Sequence, residues 1–334
     1  MPRRLLASLL IITSLALTSA PAAATVFKIA TLSPDGSSWM KRIRAGAKEI
    51  SEKTDQRVRF KFYPGGVMGD DRSVMRKIRI RQLQGGAVAV NAVSSFYPDI
   101  QVYGLPMLFR DLEEAKHIRQ HLDEKLLAGL EKGGFVSFGL ASGGFAYLMS
   151  LQPVQRVEEL RHRKVWMPSD DRMVASAVAA YGVKPIPLSI GDVLTGLQTG
   201  LIDTVGAPPL VTLALQWHTQ VKYLTHVPLI HSTALMVIDK RSFNKLSAAD
   251  QNTVREVMGR VFREIDISNM RDNRNALEAL KNQGITFIDP TPDELQVWRE
   301  RANQATQLIL KDGVISRDIY REITHLLEDY RKTR

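Results

Sequence analysis

The chain has 334 residues, no cysteine and a formal net charge of +10. Without thiols it has no disulfide, no thiol nucleophile and no cysteine-held metal or cluster, and a chain of this length buries enough core to fold without cross-links. The basic excess does not point to nucleic acid. Its densest cluster, Arg72, Arg76, Lys77, Arg79 and Arg81, lacks interleaved aromatic residues for base stacking. It reads as a solvated helix face or a contact with an anionic surface.

At the start of the chain, Arg3 and Arg4 precede an apolar run from Leu5 to Leu17, and Ala22-Ala23-Ala24 follows. A positive start, a short apolar run and small residues at a cleavage site are the layout of a secretory signal peptide. A spanning helix needs about 20 apolar residues, more than this run supplies. Residues 1–24 are therefore expected to be removed, leaving a soluble periplasmic protein that begins near Thr25. Size suggests two domains.

From Thr25 onward, strands and helices alternate. Residues 26–32 read as a buried strand and residues 38–53 as an amphipathic helix. Val58, Phe60 and Phe62 alternate with charged residues, as in a half-exposed strand. Asp70 and Asp71 open a helix expected to run to Gln84, with acids at its positive end and Gly85-Gly86 as its stop. Short strands are expected at 87–93, 135–140, 147–151, 165–167 and 201–205, and helices at 171–181 and 190–198. After Leu246 the pattern turns helical, over 247–281 and 291–311, with Ser247 and Thr291 as N-terminal caps. The sum is an α/β protein with mainly parallel pairing. No low-complexity linker separates two halves, so the chain is expected to cross between lobes more than once.

The catalytic patterns fail. The sequence has no G-x-S-x-G elbow, phosphate loop, G-x-G-x-x-G after a strand or H-E-x-x-H. S-x-x-K occurs at Ser38 to Lys41 and Ser242 to Lys245 without its partner motifs. His117 and His121 have metal-ligand spacing on a helix, but their charged surroundings favour a solvent face. No enzyme activity, metal or cofactor is expected. In open α/β sheets ligands bind beyond the carboxyl ends of strands. The loops after Leu32, Val93, Gly139 and Met167, with the 204–209 turn, then face a cleft. They carry Thr31, Ser33, Ser94, Ser95, Tyr147, Trp166, Ser169 and Pro208, and Trp39 follows the first loop. Asp203 is expected to brace its own loop. An exported two-lobed protein with such a cleft reads as a solute receptor.

Four stretches carry a resemblance: "YPGGVMGDDRSV" at Tyr63 to Val74, "GLPMLFRD" at Gly104 to Asp111, "LQTGLIDTVGAPP" at Leu197 to Pro209 and "VKYLT" at Val221 to Thr225. Over nearly the whole mature chain the protein resembles the solute receptors of tripartite ATP-independent periplasmic (TRAP) transporters, the dicarboxylate-receptor type. The resemblance implies two α/β lobes that close by a hinge on a small organic acid. Residues 25–143 with 234–275 would form one lobe, and 144–233 with 276–334 the other. It also implies delivery by a monomer to the small and large subunits of a sodium-driven permease. Such receptors commonly clamp the ligand carboxylate with an Arg at a strand end, which aligns here with Trp166. A second Arg aligns with Ala146, and an Asn before the cleft proline with Ala207. Trp166, Ala207, Pro208 and Trp217 are thus expected at a ligand larger, flatter or less acidic than a dicarboxylate. A receptor feeding a sensor or chemotaxis protein, and an exported enzyme on a similar fold, remain the alternatives.

Overall fold

The structure, a computed structural model, describes residues 24–169 and 171–334. The expected signal segment, apart from Ala24, lies outside the described residues. The first half follows the alternation read from the sequence: β1 (Thr25–Thr31), α1 (Ser38–Lys53), β2 (Val58–Tyr63), α2 (Asp71–Arg79) and β3 (Gly85–Ala89). Local chemistry sets α1. Ser37 caps it by accepting the Met40 N–H, and Met40, Ile43, Ala47 and Ile50 bury one face at helical spacing.

Two short 3-10 turns follow, at Val90–Val93 and Pro98–Gly104, then α3 (Leu112–Lys132) and β4 (Phe135–Ser150). Next come β5 (Trp166–Pro168), α4 (Arg172–Ala180), β6 (Ile186–Leu188), α5 (Val193–Gln198), β7 (Thr204–Ala207) and α6 (Pro209–Ala214). The chain returns along β8 (Tyr223–Asp239) and ends through α7 (Lys240–Phe243), α8 (Ala248–Asn282), β9 (Thr286–Ile288), α9 (Pro292–Lys311) and α10 (Arg317–Lys332). The main sheet has the order β2-β1-β3-β8-β4-β7, with β9 beside β8, and β5 with β6 forms a separate parallel pair.

Two expectations about the sheet need correction. Pairing is parallel at β1/β2, β1/β3, β5/β6 and β8/β9, but the long β4/β8 ladder and the β3/β8 and β4/β7 pairs are antiparallel. The strands expected at 135–140 and 147–151 are one strand, β4. Gly139, Gly143 and Gly144 read as breaks, yet they lie at or beside places where β4 shifts register against β8 without leaving it. Gly144 needs to be glycine: its φ is +84°, and a Cβ there would stand 2.7 Å from the Asn273 side chain. There is accordingly no loop after Gly139.

Helix α2 stops at Arg79, short of the expected Gln84. Gly85 and Gly86 belong to β3, where a Cβ on Gly85 would meet the Val237 carbonyl oxygen at 2.2 Å. The pair marks close approach of strands rather than a helix stop.

Strands β4 and β8 are the longest of the sheet, with 16 and 17 residues, and helix α8 packs against β4. At 1.5 Å per residue the 35 residues of α8 span about 50 Å. Helix α10, which the sequence pattern did not suggest, returns to α3: the Arg331 guanidinium binds the buried Glu114 carboxylate, and Ser316 bonds to Asp99. Among the described residues no helix is long and apolar enough to cross a membrane.

Candidate functional site

Where β4 and β8 cross the middle of the molecule they border a cavity of about 400 Å³, within the usual range for small-molecule sites. Ala146 and Leu148 of β4 and Ile230 of β8 form its floor. Ala207 and Pro208, where β7 meets α6, close one side together with Val211. Trp166 and Pro168 of β5, with Met173 and Ala177 of α4, supply another wall. At its deep end Leu160, Val165, Tyr181, Val183 and Trp298 carry the cavity into an apolar cluster.

Trp166 is held rather than loose. Its indole N–H donates to the Leu188 carbonyl at 3.1 Å, and its ring meets Trp217 edge-to-face at 5.2 Å. Only 7% of it is exposed. Edge-to-face packing suits the ring quadrupoles, so two indoles form one stiff corner of the wall.

The polar side chains at the wall are few. Asp171 caps α4, its Oδ1 accepting the Val174 N–H at 2.9 Å, while its Oδ2 accepts from the Asn91 amide at 2.9 Å. That second bond joins the turn after β3 to the cap of the helix after β5. Burial raises the Asp171 pKa above its ordinary value. His231 bonds through Nε2 to Ser142 Oγ at 2.9 Å, and its Nδ1 has no partner. Burial pushes its pKa down to about 3, with Arg119 adding to the shift, so the ring stays neutral. Among the described residues no lysine or arginine lines the cavity. The buried Arg119 guanidinium is engaged elsewhere, by Asp123, Asp266 and the Leu140 carbonyl.

The nine residues expected at the ligand divide. Trp166, Ala207, Pro208 and Trp217 line the cavity, as does Ala146. The other five are placed elsewhere. Thr31 and Ser33 accept, through their carbonyls, the N–H groups of Gly66 and Gly65, tying two turns together. Trp39 packs edge-on against Phe262 of α8. Ser94 donates to the Asn91 carbonyl, and the Tyr147 ring lies 5.7 Å from His226. The strand-end rule fails for these because the 3-10 turn after β3 brings Asn91 rather than Ser94 to the cavity, and because Tyr147 lies within a continuous strand.

Asn91 and Asp171 were missed. Each has an ordinary local role, and only the fold brings them together from 80 positions apart. Asp203 does brace its loop, accepting from the Lys164 N–H and from Thr204 Oγ1. His117 stacks on Tyr330, and His121 bonds to the His117 carbonyl. Among the described residues no three metal-ligating side chains gather.

Residues 29–312 match the bacterial extracellular solute-binding protein, family 7. The chain belongs to this family. It is 26% identical over 262 residues to the C4-dicarboxylate-binding periplasmic protein DctP of Rhodobacter capsulatus, covering 76% of this chain and 77% of that protein. It is 23% identical over 279 residues to the 2,3-diketo-L-gulonate-binding periplasmic protein YiaO of Escherichia coli, covering 82% and 84%. The fold matches a TRAP periplasmic solute-binding protein of Haemophilus influenzae solved with L-gulonate, at a TM-score of 0.83, 17% identity and coverage of 90% and 99%. It also matches one from Desulfovibrio salexigens solved with orotic acid, at 0.82, 18%, 91% and 99%. The two-lobed architecture with a hinge and a cleft between the lobes is therefore this family's.

Proposed function

We propose that this protein is the periplasmic receptor of a TRAP transporter. It captures a small organic solute between its lobes and delivers it, as a monomer, to the small and large subunits of a membrane permease. The observation that carries the reading is the cavity itself, bordered by β4 and β8 of a family 7 chain. Among the described residues its wall offers no assembled nucleophile, base and orienting group, which favours binding over catalysis. Residues 25–143 with 234–275 make one lobe in this reading. Residues 144–233 with 276–334 make the other, and its terminal helix α10 packs against α3 of the first. Cleavage near Ala24 releases the mature chain.

The test is a thermal-shift screen of the exported protein against a metabolite library, followed by transport in vesicles carrying the cognate permease. A true solute stabilises the folded state by about 2.7 kcal/mol at a hundredfold excess over its Kd, and its uptake depends on the receptor. A library without hits, or uptake indifferent to the receptor, would rule the proposal out.

A further inference from the structure

The wall of the cavity has the wrong polarity for a carboxylate. Recognition of a carboxylate is strongest with charge-assisted donors, above all a bidentate guanidinium. Here neither Arg nor Lys lines the cavity among the described residues. The loop that closes one side runs Ala207-Pro208-Pro209, and its two prolines have no backbone N–H to offer. The carboxyl group at the wall belongs to the protein, at Asp171. A ligand anion placed there would lose its water beside a like charge, and among the described residues the wall offers it only neutral donors such as Ser232 and Thr233, with no cationic group to offset the cost.

The same features favour the opposite chemistry. Capping α4 occupies Asp171 Oδ1 once, and the Asn91 amide occupies Oδ2 once. The Met173 N–H also bonds to this carboxylate, and because a carboxylate has about four acceptor sites, acceptor capacity remains on Asp171, which lines the cavity. Around it the surface is apolar and aromatic, with Trp166, Trp217 and Tyr181 at one side and Leu148 and Ile230 below. Aromatic faces attract cations as well as flat apolar groups.

Resting on the receptor reading above, we propose that the cleft selects a solute with an apolar, ring-sized body and an N–H-donating head, an ammonium or amide, and discriminates against free carboxylates. The head sits at Asp171 and Asn91 and the body against Trp166. Because the Asn91–Asp171 bond joins the turn after β3 to the cap of α4, a donor held there touches both segments.

The experiment is calorimetric titration of the exported protein with amine, amide and acid triplets sharing one body: 2-phenylethylamine, 3-phenylpropanamide and 3-phenylpropanoate, and the matching indolyl and cyclohexyl sets. The amine or amide of at least one triplet is expected to bind tenfold or more tightly than its acid. Asp171→Asn preserves the cap, so its melting temperature stays near that of the parent. The variant should lose tenfold or more of that affinity and narrow the gap to the acid. An acid that binds as tightly as its partners, or an Asp171→Asn variant that leaves the preference unchanged, overturns the inference. So does failure of every triplet. In these cases a carboxylate found by the library screen would still leave the receptor reading standing, whereas a screen without any hit removes the reading itself.

Discussion

Trp166 shows how one side chain joins stability to recognition. The sequence places its indole at the ligand. The N–H is committed to Leu188, and the ring is buried against Trp217. What remains for a ligand is a face of the ring at the cavity wall. Trp166→Ala would therefore confound two effects, since emptying a large aromatic site costs about 3–5 kcal/mol of stability. Trp166→Phe is the cleaner change: it keeps a ring and loses one hydrogen bond, at a cost of about 1 kcal/mol. The variant is expected to fold with a slightly lower Tm and bind a solute from the screen up to about tenfold more weakly, about 1.4 kcal/mol. It should lose most of the ligand-induced change in tryptophan fluorescence, although Trp39, Trp217 and Trp298 remain. A fluorescence titration indistinguishable from that of the parent would place the ligand away from this indole.

At the scale of elements, α2 and β3 show how a helix terminus positions the site. Asp70 caps α2 by accepting the Ser73 N–H, whereas the neighbouring Asp71 reaches across to accept the Ala89 N–H at 3.0 Å. That bond fixes the end of β3, two residues before Asn91. Burial raises the Asp71 pKa from 3.8 to about 6. The folded state therefore holds this proton more tightly than the unfolded chain does. The Asp71 contribution to stability should decline as pH rises from about 4 to about 6 and stay flat above that. Asp71→Asn keeps the acceptor and removes the titration, so its Tm should lack that part of the decline. Parallel pH profiles for the two proteins would acquit Asp71. Elements defined by such local caps were legible in the sequence. The bounds of α1 match, Ser247 and Thr291 cap α8 and α9, and the Thr291–Glu294 box is reciprocal. The long strands were not, because Gly139, Gly143 and Gly144 look like breaks until β8 supplies a partner. Helix α10 left a trace that went unused, with Ser316 as a cap and Ile319, Ile323 and Leu327 at helical spacing. In the site, Trp166, Ala207, Pro208 and Trp217 followed from their places in the chain, but Asn91 and Asp171 matter through a contact that no local pattern encodes.

For the whole molecule, the decisive feature is that β4, β8 and α8 cross together and are stitched to one another where β4 is irregular. Asp266 of α8 accepts the Ser142 N–H at 2.7 Å and an Arg119 N–H at 2.7 Å, and the Asn269 amide donates to the Ser142 carbonyl at 3.0 Å. Asn273 continues the line, set against Gly144 and accepting from the Leu210 N–H. Hinges are a few residues that absorb a large backbone change. Here Gly144, at positive φ and beside two register shifts, is an irregular point of β4 held against Asn273 of α8. Closure should thus pass through a glycine that lies in β4 just before Ala146 of the cavity floor. Gly144→Ala is expected to cost about 1–2 kcal/mol for the left-handed backbone, plus displacement of the Asn273 amide. It alters no group on the cavity wall. Its Kd should nevertheless rise several-fold, because the closed form becomes harder to reach. Small-angle scattering separates this from simple loss of fold. The parent contracts on saturation with ligand, whereas the variant, still compact without ligand, contracts less at equal saturation. Equal contraction and an unchanged Kd would show that the bend lies at another point of the crossing strands.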